Sequence, residues 1–413
     1  MIEIFLYLCL IIFSVSTLIV CRYNGYGFMP VLFSAYFIFV LIIPAIFHVK
    51  NNIFPFYGMS YSVDQQFTAV LILLLFSMFF WIGFFIKKKV PSIICIDQPI
   101  KLNQTRFFTT ILFMLIFLVI LINYYGLNSF LLRRSEFDGD AFGNDSSIQG
   151  LVVTLIRASA FACLFYFIIL KKYSINIFWW ALFPVVLSVF FIANYPLSLP
   201  RFILFSYIIA FFCFYIKSTS KNKILVISSF GFGITTLFPY TSHITRGDGE
   251  FSLSISNYYS SSGDFDSFQS IINAGIYVDK YGYTLGNQII SSLISFIPRS
   301  FWTAKGEPTG SIAAAAAGYD YTNISSPLPA EFFIDFSYFG LVFISFLFGY
   351  LIRYVDQFSV ISKKYTFNFI LSIILISNIV IISRGAILAV INVIYAEIFV
   401  FYLMYYFILR SRG

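Results

Sequence analysis

Charged side chains are scarce in this sequence: Asp, Glu, Lys and Arg make up 11% of the 413 residues, whereas hydrophobic residues make up 60%. Soluble domains are about 45–50% apolar, so a water-soluble core could not bury this much apolar surface. Apolar runs of about 18–25 residues recur along the chain and match the ~30 Å hydrocarbon core of a bilayer. The runs are continuous rather than alternating, which excludes a membrane β-barrel. The sequence therefore predicts an all-α, polytopic integral membrane protein.

Histidine and cysteine are also rare. The only histidines are His48 and His243, so a site with several histidine ligands is impossible, and we expect neither a metal nor a cofactor. The five cysteines lie in or beside apolar runs, without the spacing of a zinc site or a disulfide framework. The glycine-rich signatures of nucleotide-binding loops are absent as well. Energy for any reaction must therefore come from an activated substrate or from a gradient.

Apolar periodicity predicts eleven membrane spans. The first run carries Glu3 and has no basic residue before it, so we interpret it as a retained span rather than a signal peptide. The predicted spans lie at about 3–20, 28–47, 67–86, 107–124, 150–170, 177–194, 202–216, 224–241, 332–351, 366–383 and 386–408.

Positive charge is concentrated in the segments that eleven spans place on one side of the membrane. These segments hold 16 of the 26 Lys and Arg residues but only 2 of the 18 acids, Asp97 and Asp356. The positive-inside rule makes that side cytoplasmic, so the N-terminus lies outside and the C-terminus inside. The formal net charge of +8 is then a topology signal rather than a nucleic-acid footprint, and we expect no nucleic-acid partner.

Polar residues collect in one long segment, which this topology places on the outer face. The chain is thus divided into transmembrane helices 1–8 (1–241), a large periplasmic loop (242–331) and transmembrane helices 9–11 (332–413). Two helix-like pieces of the loop either lie along the membrane surface or pack on each other and on helix ends. Their apolar faces contain Phe265, Phe268, Ile271, Ile272 and Ile276 in the first piece, and Leu285, Ile289, Ile290, Leu293 and Ile297 in the second.

Arginines stand at the outer membrane boundary, where no topology rule requires them. Arg201, Arg299 and Arg384 lie near the ends of predicted spans or in the loop, and Arg246 follows the eighth span. A guanidinium carries a fork of donors that matches phosphate oxygens, and it tolerates partial burial. These arginines therefore either bind a phosphate-bearing group or snorkel to the interface and pair with loop acids such as Asp248.

Acidic residues open the ninth span. Glu331 and Asp335 are four apart and share one helix face. A partly desolvated carboxylate there could serve as a general base, or the two acids could complement a helix N-terminus. Glu397 lies in the middle of the last span and is either a functional intramembrane acid or a hydrogen-bonding partner of a neighbouring helix.

One long stretch carries a family resemblance. It reads FDSFQSIINAGIYVDKYGYTLGNQIISSLISFIPRSFWTAKGEPTGS, followed by PAEFFIDFSYFGLVFISFLFGYL. A Pro-Arg pair, an aromatic residue and a Lys-Pro-like turn precede an acid, an aromatic residue and a glycine that open the next span. Residues 195–385 thereby resemble the bacterial O-antigen polymerases of the Wzy type, although the Lys-Pro is broken up as Lys305-Gly306-Glu307-Pro308. Lys305 and Glu307 are otherwise interpreted as a simple turn.

The resemblance implies metal-independent glycosyl transfer at the periplasmic face of the inner membrane, on a membrane glycosyltransferase architecture similar to GT-C. Donor and acceptor would be glycans on undecaprenyl pyrophosphate, and a chain-length regulator and a flippase would be partners. It also implies roles for particular residues: Arg201, Arg246, Arg299 and Arg384 bind pyrophosphate, and Glu331 activates the acceptor hydroxyl, with His243 in reserve.

Two other functions stay open. O-antigen ligases use similar substrates but carry a histidine-asparagine motif that the sequence SHIT at 242–245 does not fit. A flippase for lipid-linked sugars would show a repeat between its halves, which this chain lacks, and a loop of roughly ninety residues on one face is unusual for alternating access.

Overall fold

The computed structural model describes residues 2–56, 59–86, 104–132, 146–171, 177–239, 258–260, 262–297, 299 and 301–409. Across these residues the regular structure is helical, without β-strands. The described helices include seven that are long and apolar enough to cross a bilayer, together with three shorter apolar helices of 10–17 residues. The prediction of an all-helical, polytopic membrane protein is confirmed at this level.

A helix lies at each of the eleven predicted segments. The helix α2 (Met29–Asn51) contains a π-helical stretch, Phe37–Ile42, and the helix α9 (Ser220–Phe232) continues as a π-helix over Gly233–Leu237. In chain order the α-helices are α1 (Ile2–Arg22), α2 (Met29–Asn51), α3 (Val63–Phe85), α4 (Gln104–Tyr125), α5 (Leu127–Leu131), α6 (Ser146–Ile169), α7 (Ile177–Ala193), α8 (Arg201–Tyr215), α9 (Ser220–Phe232), α10 (Ser267–Tyr281), α11 (Asn287–Leu293), α12 (Thr309–Ala316), α13 (Leu328–Ile361), α14 (Phe367–Ser377), α15 (Ile379–Arg384) and α16 (Ile387–Leu409).

The chain divides into two compact units, neither of which is continuous in sequence. The first unit consists of Met1–Val90, Ile216–Ile361 and Ile379–Ile391. The second consists of Pro91–Tyr215, Ser362–Asn378 and Asn392–Gly413, so α16 begins in the first unit and continues into the second. The described part of the polar loop belongs wholly to the first unit.

Two glycines allow α3 and α13 to cross at close distance in the core of the first unit. A Cβ on Gly83 would lie 2.1 Å from the carbonyl oxygen of Phe346, and one on Gly349 would lie 2.0 Å from that of Phe80. Glycine is therefore needed at both positions for the backbones to approach, as small residues do in membrane helix packing. Beside the crossing, Phe33 of α2 stacks on Phe80 with ring centroids 4.2 Å apart.

The long helix α13 consists of two pieces. Ser337 has φ 61° and ψ −166°, a non-helical conformation that interrupts the helix. The piece before Ser337 carries Glu331 and Asp335 and packs among the elements of the polar loop, whereas the piece after it is the apolar span. The interruption therefore joins the candidate functional residues directly to a membrane helix.

Candidate functional site

The first helix-like piece of the loop is α10, and it lies inside the protein. Phe268, Ile271 and Ile272 are buried where α10 packs against α3, α12 and α13. One of its buried polar groups has a protein partner, since the hydroxyl of Tyr61 donates to Oδ1 of Asn273 at 2.9 Å. Of the two alternatives for this piece, the structure favours packing within the protein, on α3, α12 and α13.

Asp335 holds the second piece, α11, in place. Its carboxylate accepts hydrogen bonds from the backbone amides of Gln288 (3.1 Å) and Ile289 (2.8 Å) and from the hydroxyl of Thr284. These amides belong to the first turn of α11, where backbone donors have no partner within the helix. The prediction that an acid complements a helix N-terminus holds for Asp335, but the helix is α11 and not the one that carries it.

Glu331 is buried and links three segments of the chain. Thr309, at the start of α12, donates from Oγ1 to Oε2 at 2.8 Å, and the amide of Ile387, at the start of α16, donates to Oε1 at 3.2 Å. The Glu331 side chain is 1% exposed. Both carboxylate oxygens thus have protein donors, and the predicted base is held within the fold in this conformation.

Arg384, at the end of α15, is paired with an acid of the polar loop. Its guanidinium lies 3.4 Å from Oδ1 of Asp266 and donates to the carbonyl oxygen of Gly263 at 3.0 Å. Asp266 also accepts from the amide (2.9 Å) and the hydroxyl (2.6 Å) of Ser325. Burial raises the pKa of Asp266, while the charge of Arg384 and the Ser325 donors act in the opposite direction. In this structure the Arg384 guanidinium is therefore already paired with a carboxylate of the protein.

Arg299 and Lys305 form a different arrangement, which we call the Arg299–Lys305 clasp. Arg299 donates to the carbonyl oxygens of Lys305 (2.9 Å) and Gly306 (2.7 Å). Lys305 donates from Nζ to the carbonyl oxygens of Ser295 (2.6 Å) and Ile297 (2.9 Å). Each cation is thus held by backbone acceptors across the turn that follows α11.

The clasp brings two positive charges together, and no acid in the described part of the polar loop is paired with either. Among the described residues, no carboxylate forms an ion pair with Arg299 or Lys305. Partial burial, and after it the neighbouring Arg299, lower the pKa of Lys305. Arg299 is exposed and Lys305 is half-buried, and both retain N–H donors beyond those bound to carbonyl groups. The arrangement is suited to binding an anion from outside.

The remaining predicted site residues lie elsewhere. His243 and Arg246 fall outside the described residues. Arg201 begins α8 in the second unit, whereas Arg299 and Arg384 belong to the first unit. The roles predicted for these residues stay predictions.

The second unit contains buried polar residues of its own. In α16, Glu397 accepts from Nδ2 of Asn378 at 2.6 Å, which confirms the interpretation that it hydrogen-bonds a neighbouring helix. Arg157 of α6 donates to the hydroxyl of Ser198 at 3.0 Å, and its Nε is buried without an acceptor in the described part of the chain.

Sequence reasoning missed two residues that the structure places in these clusters. The local pattern at Lys305 predicts only a simple turn, although Lys305 follows Arg299 by six residues and precedes Gly-Glu-Pro. Asp266 follows Asp264 by two residues in an acid-rich stretch, which was the available signal. Its pairing with Arg384 spans more than a hundred residues, and no local pattern in one sequence indicates that contact.

Comparisons with known proteins identify no relative of this chain. No protein-family model matches it, and neither curated proteins nor solved structures give a match. The case for a function therefore depends on the geometry described above and on the sequence resemblance.

Proposed function

We propose that the protein is a membrane glycosyltransferase that polymerises oligosaccharide repeat units carried on undecaprenyl pyrophosphate. The anomeric carbon–oxygen bond of the donor glycan breaks, a glycosidic bond forms to the non-reducing end of the incoming repeat unit, and the acceptor hydroxyl loses its proton. Lipid pyrophosphate is the leaving group. The observation that carries this proposal is the Arg299–Lys305 clasp, a pair of neighbouring cations in the polar loop that no acid of the described residues neutralises.

The clasp supports pyrophosphate binding for an electrostatic reason. Two neighbouring cations repel each other, and an anion between them relieves that repulsion. Charge-assisted hydrogen bonds to phosphate oxygens are short and strong, and the guanidinium fork matches their geometry. Because Arg299 and Lys305 are anchored by carbonyl groups at 2.6–2.9 Å, little side-chain freedom remains to be lost when the anion binds.

The proposal includes the topology predicted from charge. Eleven spans would place the N-terminus and the polar loop on the periplasmic side of a bacterial inner membrane and the C-terminus in the cytoplasm. Glu331 would activate the acceptor hydroxyl, with His243 in reserve, and Arg201, Arg246 and Arg384 stay predicted pyrophosphate contacts. Arg384 would have to exchange Asp266 for substrate.

The test is a gel of surface polysaccharide from a strain that lacks the gene, complemented with single variants. We expect deletion to reduce the ladder to core plus one repeat unit. Arg299→Ala and Lys305→Ala should shorten or remove the ladder at normal protein level, because one lost charge-assisted contact of about 1.5–3 kcal/mol weakens binding roughly tenfold to a hundredfold.

Lys280→Ala is the matched control. Lys280 donates to the carbonyl oxygen of Ala316 at 2.6 Å, so it makes the same kind of lysine–carbonyl bond without a neighbouring cation in the described contacts. It should leave the ladder intact. Deletion products without any repeat unit would indicate a ligase, repeats trapped on the inner face would indicate a flippase, and an unchanged ladder would refute all three functions.

A further inference from the structure

The helix α11 has its polarity reversed relative to a water-facing helix. Its buried side chains are the polar ones, Gln288, Ser291 and Ser292, whereas Ile290 and Leu293 are exposed. A helix on the surface of a soluble domain turns its apolar side to the core and its polar side to water. Here the outward side is the apolar one, so water is the wrong medium for it.

The reversal extends beyond the helix on both sides. Leu285, before α11, is 83% exposed, and Phe301, after it, is 86% exposed; Phe296 is exposed as well. We call Leu285, Ile290, Leu293, Phe296 and Phe301 the outer apolar face. Five large apolar side chains within seventeen residues form more than the scattered exposure that a surface usually shows.

Hydrogen bonds fix the orientation of α11, so it cannot roll to bury this face. Asp335 accepts from the amides of Gln288 and Ile289, and the hydroxyl of Ser291 accepts from the amide of Gly306 at 2.8 Å. Ser292 donates to the carbonyl oxygen of Gln288 within the helix. Rolling α11 would leave the Asp335 carboxylate and the Gly306 amide without these partners.

The residue before this face is hydrogen-bonded to α13, the helix that continues as a candidate membrane span. The amide of Thr284 donates to the carbonyl oxygen of Ile334 at 3.0 Å, three residues before the interruption of α13 at Ser337. Beyond Ser337, the apolar piece of α13 exposes Phe339, Phe343, Leu347 and Leu351, which follow one another at intervals of four. Residues four apart share one helix side, so a single apolar stripe runs down the candidate span from the point where α11 is attached.

The charges fit the same arrangement. Arg299 and Lys305 follow α11 in the same stretch as Phe296 and Phe301, and Lys305 is bonded to the carbonyl oxygen of Ser295, next to Phe296. Helices that lie in a bilayer interface combine large apolar residues with Lys and Arg at the level of the lipid phosphates.

We propose that the outer apolar face is inserted into the outer boundary of the lipid bilayer beside α13, as an interfacial element of the loop. The Arg299–Lys305 clasp then lies at the depth of phospholipid phosphates. This inference rests on the distribution of apolar and polar residues and holds whether or not the chain transfers glycans.

Nitroxide spin labels in lipid nanodiscs test the depth of this face. Single cysteines replace Leu293 and Phe296 in a full-length chain whose five native cysteines are changed to alanine. Phe339→Cys, on the apolar stripe of α13, is the lipid-facing control, and Asp320→Cys, an exposed residue after α12, is the water-facing control. The measurement is the relative accessibility of each label to oxygen, which partitions into lipid, and to a nickel chelate, which stays in water.

We expect the labels at 293 and 296 to resemble the label at 339, with oxygen accessibility several times that at 320 and little nickel accessibility. Nickel accessibility equal to that at 320 would overturn the inference, because the face would then be in water. Poor accessibility to both reagents would also overturn it, since a second copy or another protein would then cover the face. All the labelled side chains are exposed, so the substitutions should not disturb folding.

Discussion

Three of the buried carboxyl groups described in the first unit, Asp266, Glu331 and Asp335, are held by donors from distant parts of the chain. Asp266 accepts from Ser325 and Arg384, and Asp335 accepts from the start of α11. Glu331 accepts from the starts of α12 and α16. Burying a carboxylate is unfavourable unless donors compensate for lost hydration. Each acid therefore fixes the relative position of the segments that supply its donors.

Glu331 is the residue at which catalytic and structural roles can be separated. Catalytic hydrogen bonds often form only in the substrate complex, so its present contacts do not remove it as a base. In Glu331→Gln, the side-chain oxygen can accept from the Ile387 amide, and the side-chain NH2 can donate to the Thr309 hydroxyl. The geometry is kept and the basicity is lost. We expect this variant to reach normal levels and to give core plus one repeat unit on the polysaccharide gel.

Thr309→Val is the control for that experiment. It removes the hydroxyl that donates to Glu331 at 2.8 Å and leaves the carboxylate in place, with an expected loss of stability of about 1–3 kcal/mol. Polymer should still form. A full-length ladder from Glu331→Gln would show that Glu331 has only a structural role.

The sequence could identify some of these residues but not their partners. The four-residue spacing of Glu331 and Asp335 places both on one helix face, which the sequence alone predicts. Thr309 and Ile387 lie 22 and 56 residues from Glu331. Which backbone amide reaches a carboxylate over such separations depends on tertiary packing, which a single sequence does not encode in a local pattern.

At the scale of elements, helix positions followed from apolar runs because a membrane helix must be apolar over its whole length. The interruption at Ser337 was not predicted, since neither glycine nor proline marks it. The apolar periodicity of α10 and α11 also did not predict that the face of one is buried and the face of the other is exposed. Both have periodic apolar residues, yet α10 is covered by α3, α12 and α13, whereas the face of α11 is exposed.

The crossing of α3 and α13 gives a prediction at this scale. Because a Cβ on Gly349 would lie 2.0 Å from the carbonyl oxygen of Phe80, Gly349→Ala forces the two backbones apart. We expect the variant in detergent to unfold at a lower temperature than the wild-type protein, with a loss of stability of roughly 1–3 kcal/mol that is typical of overpacking. The measurement is the amount of folded protein that remains after heating, as detected by size-exclusion chromatography.

Gly150→Ala in α6 is the matched control. A Cβ there meets nothing within 4 Å, and alanine favours a helix over glycine by about 1 kcal/mol. It should leave the unfolding temperature unchanged or raise it. Equal stability of the Gly349→Ala and wild-type proteins would mean that the helices do not touch at this glycine.

For the whole molecule, the number of crossings decides on which side the polar loop lies. Within the described residues, seven long helices and three shorter apolar helices are candidates to cross, and the one predicted span not among them, the eighth (about 224–241), falls on α9 with its π-helical continuation. Ser220–Phe232 and Gly233–Leu237 together form an 18-residue segment. At about 1.5 Å per residue it is roughly 27 Å long, close to the ~30 Å of the hydrocarbon core. Lys221 lies in the first turn of this segment, and only the residues after that turn separate the basic stretch that begins at Lys217 from the polar loop.

Thiol labelling on either side of α9 tests this crossing. Lys221→Cys and Asp320→Cys, both at exposed positions, are placed singly in the chain without native cysteines and treated with a membrane-impermeant maleimide in spheroplasts. We expect label at 320 in intact spheroplasts and at 221 only after permeabilisation, because the positive-inside rule retains the basic stretch in the cytoplasm. Both variants should react equally once the spheroplasts are permeabilised, which controls for local accessibility.

Label at both positions in intact spheroplasts would mean that α9 does not cross. Label at 221 alone would invert the topology and place the Arg299–Lys305 clasp on the cytoplasmic side, where the proposed periplasmic polymerisation could not occur.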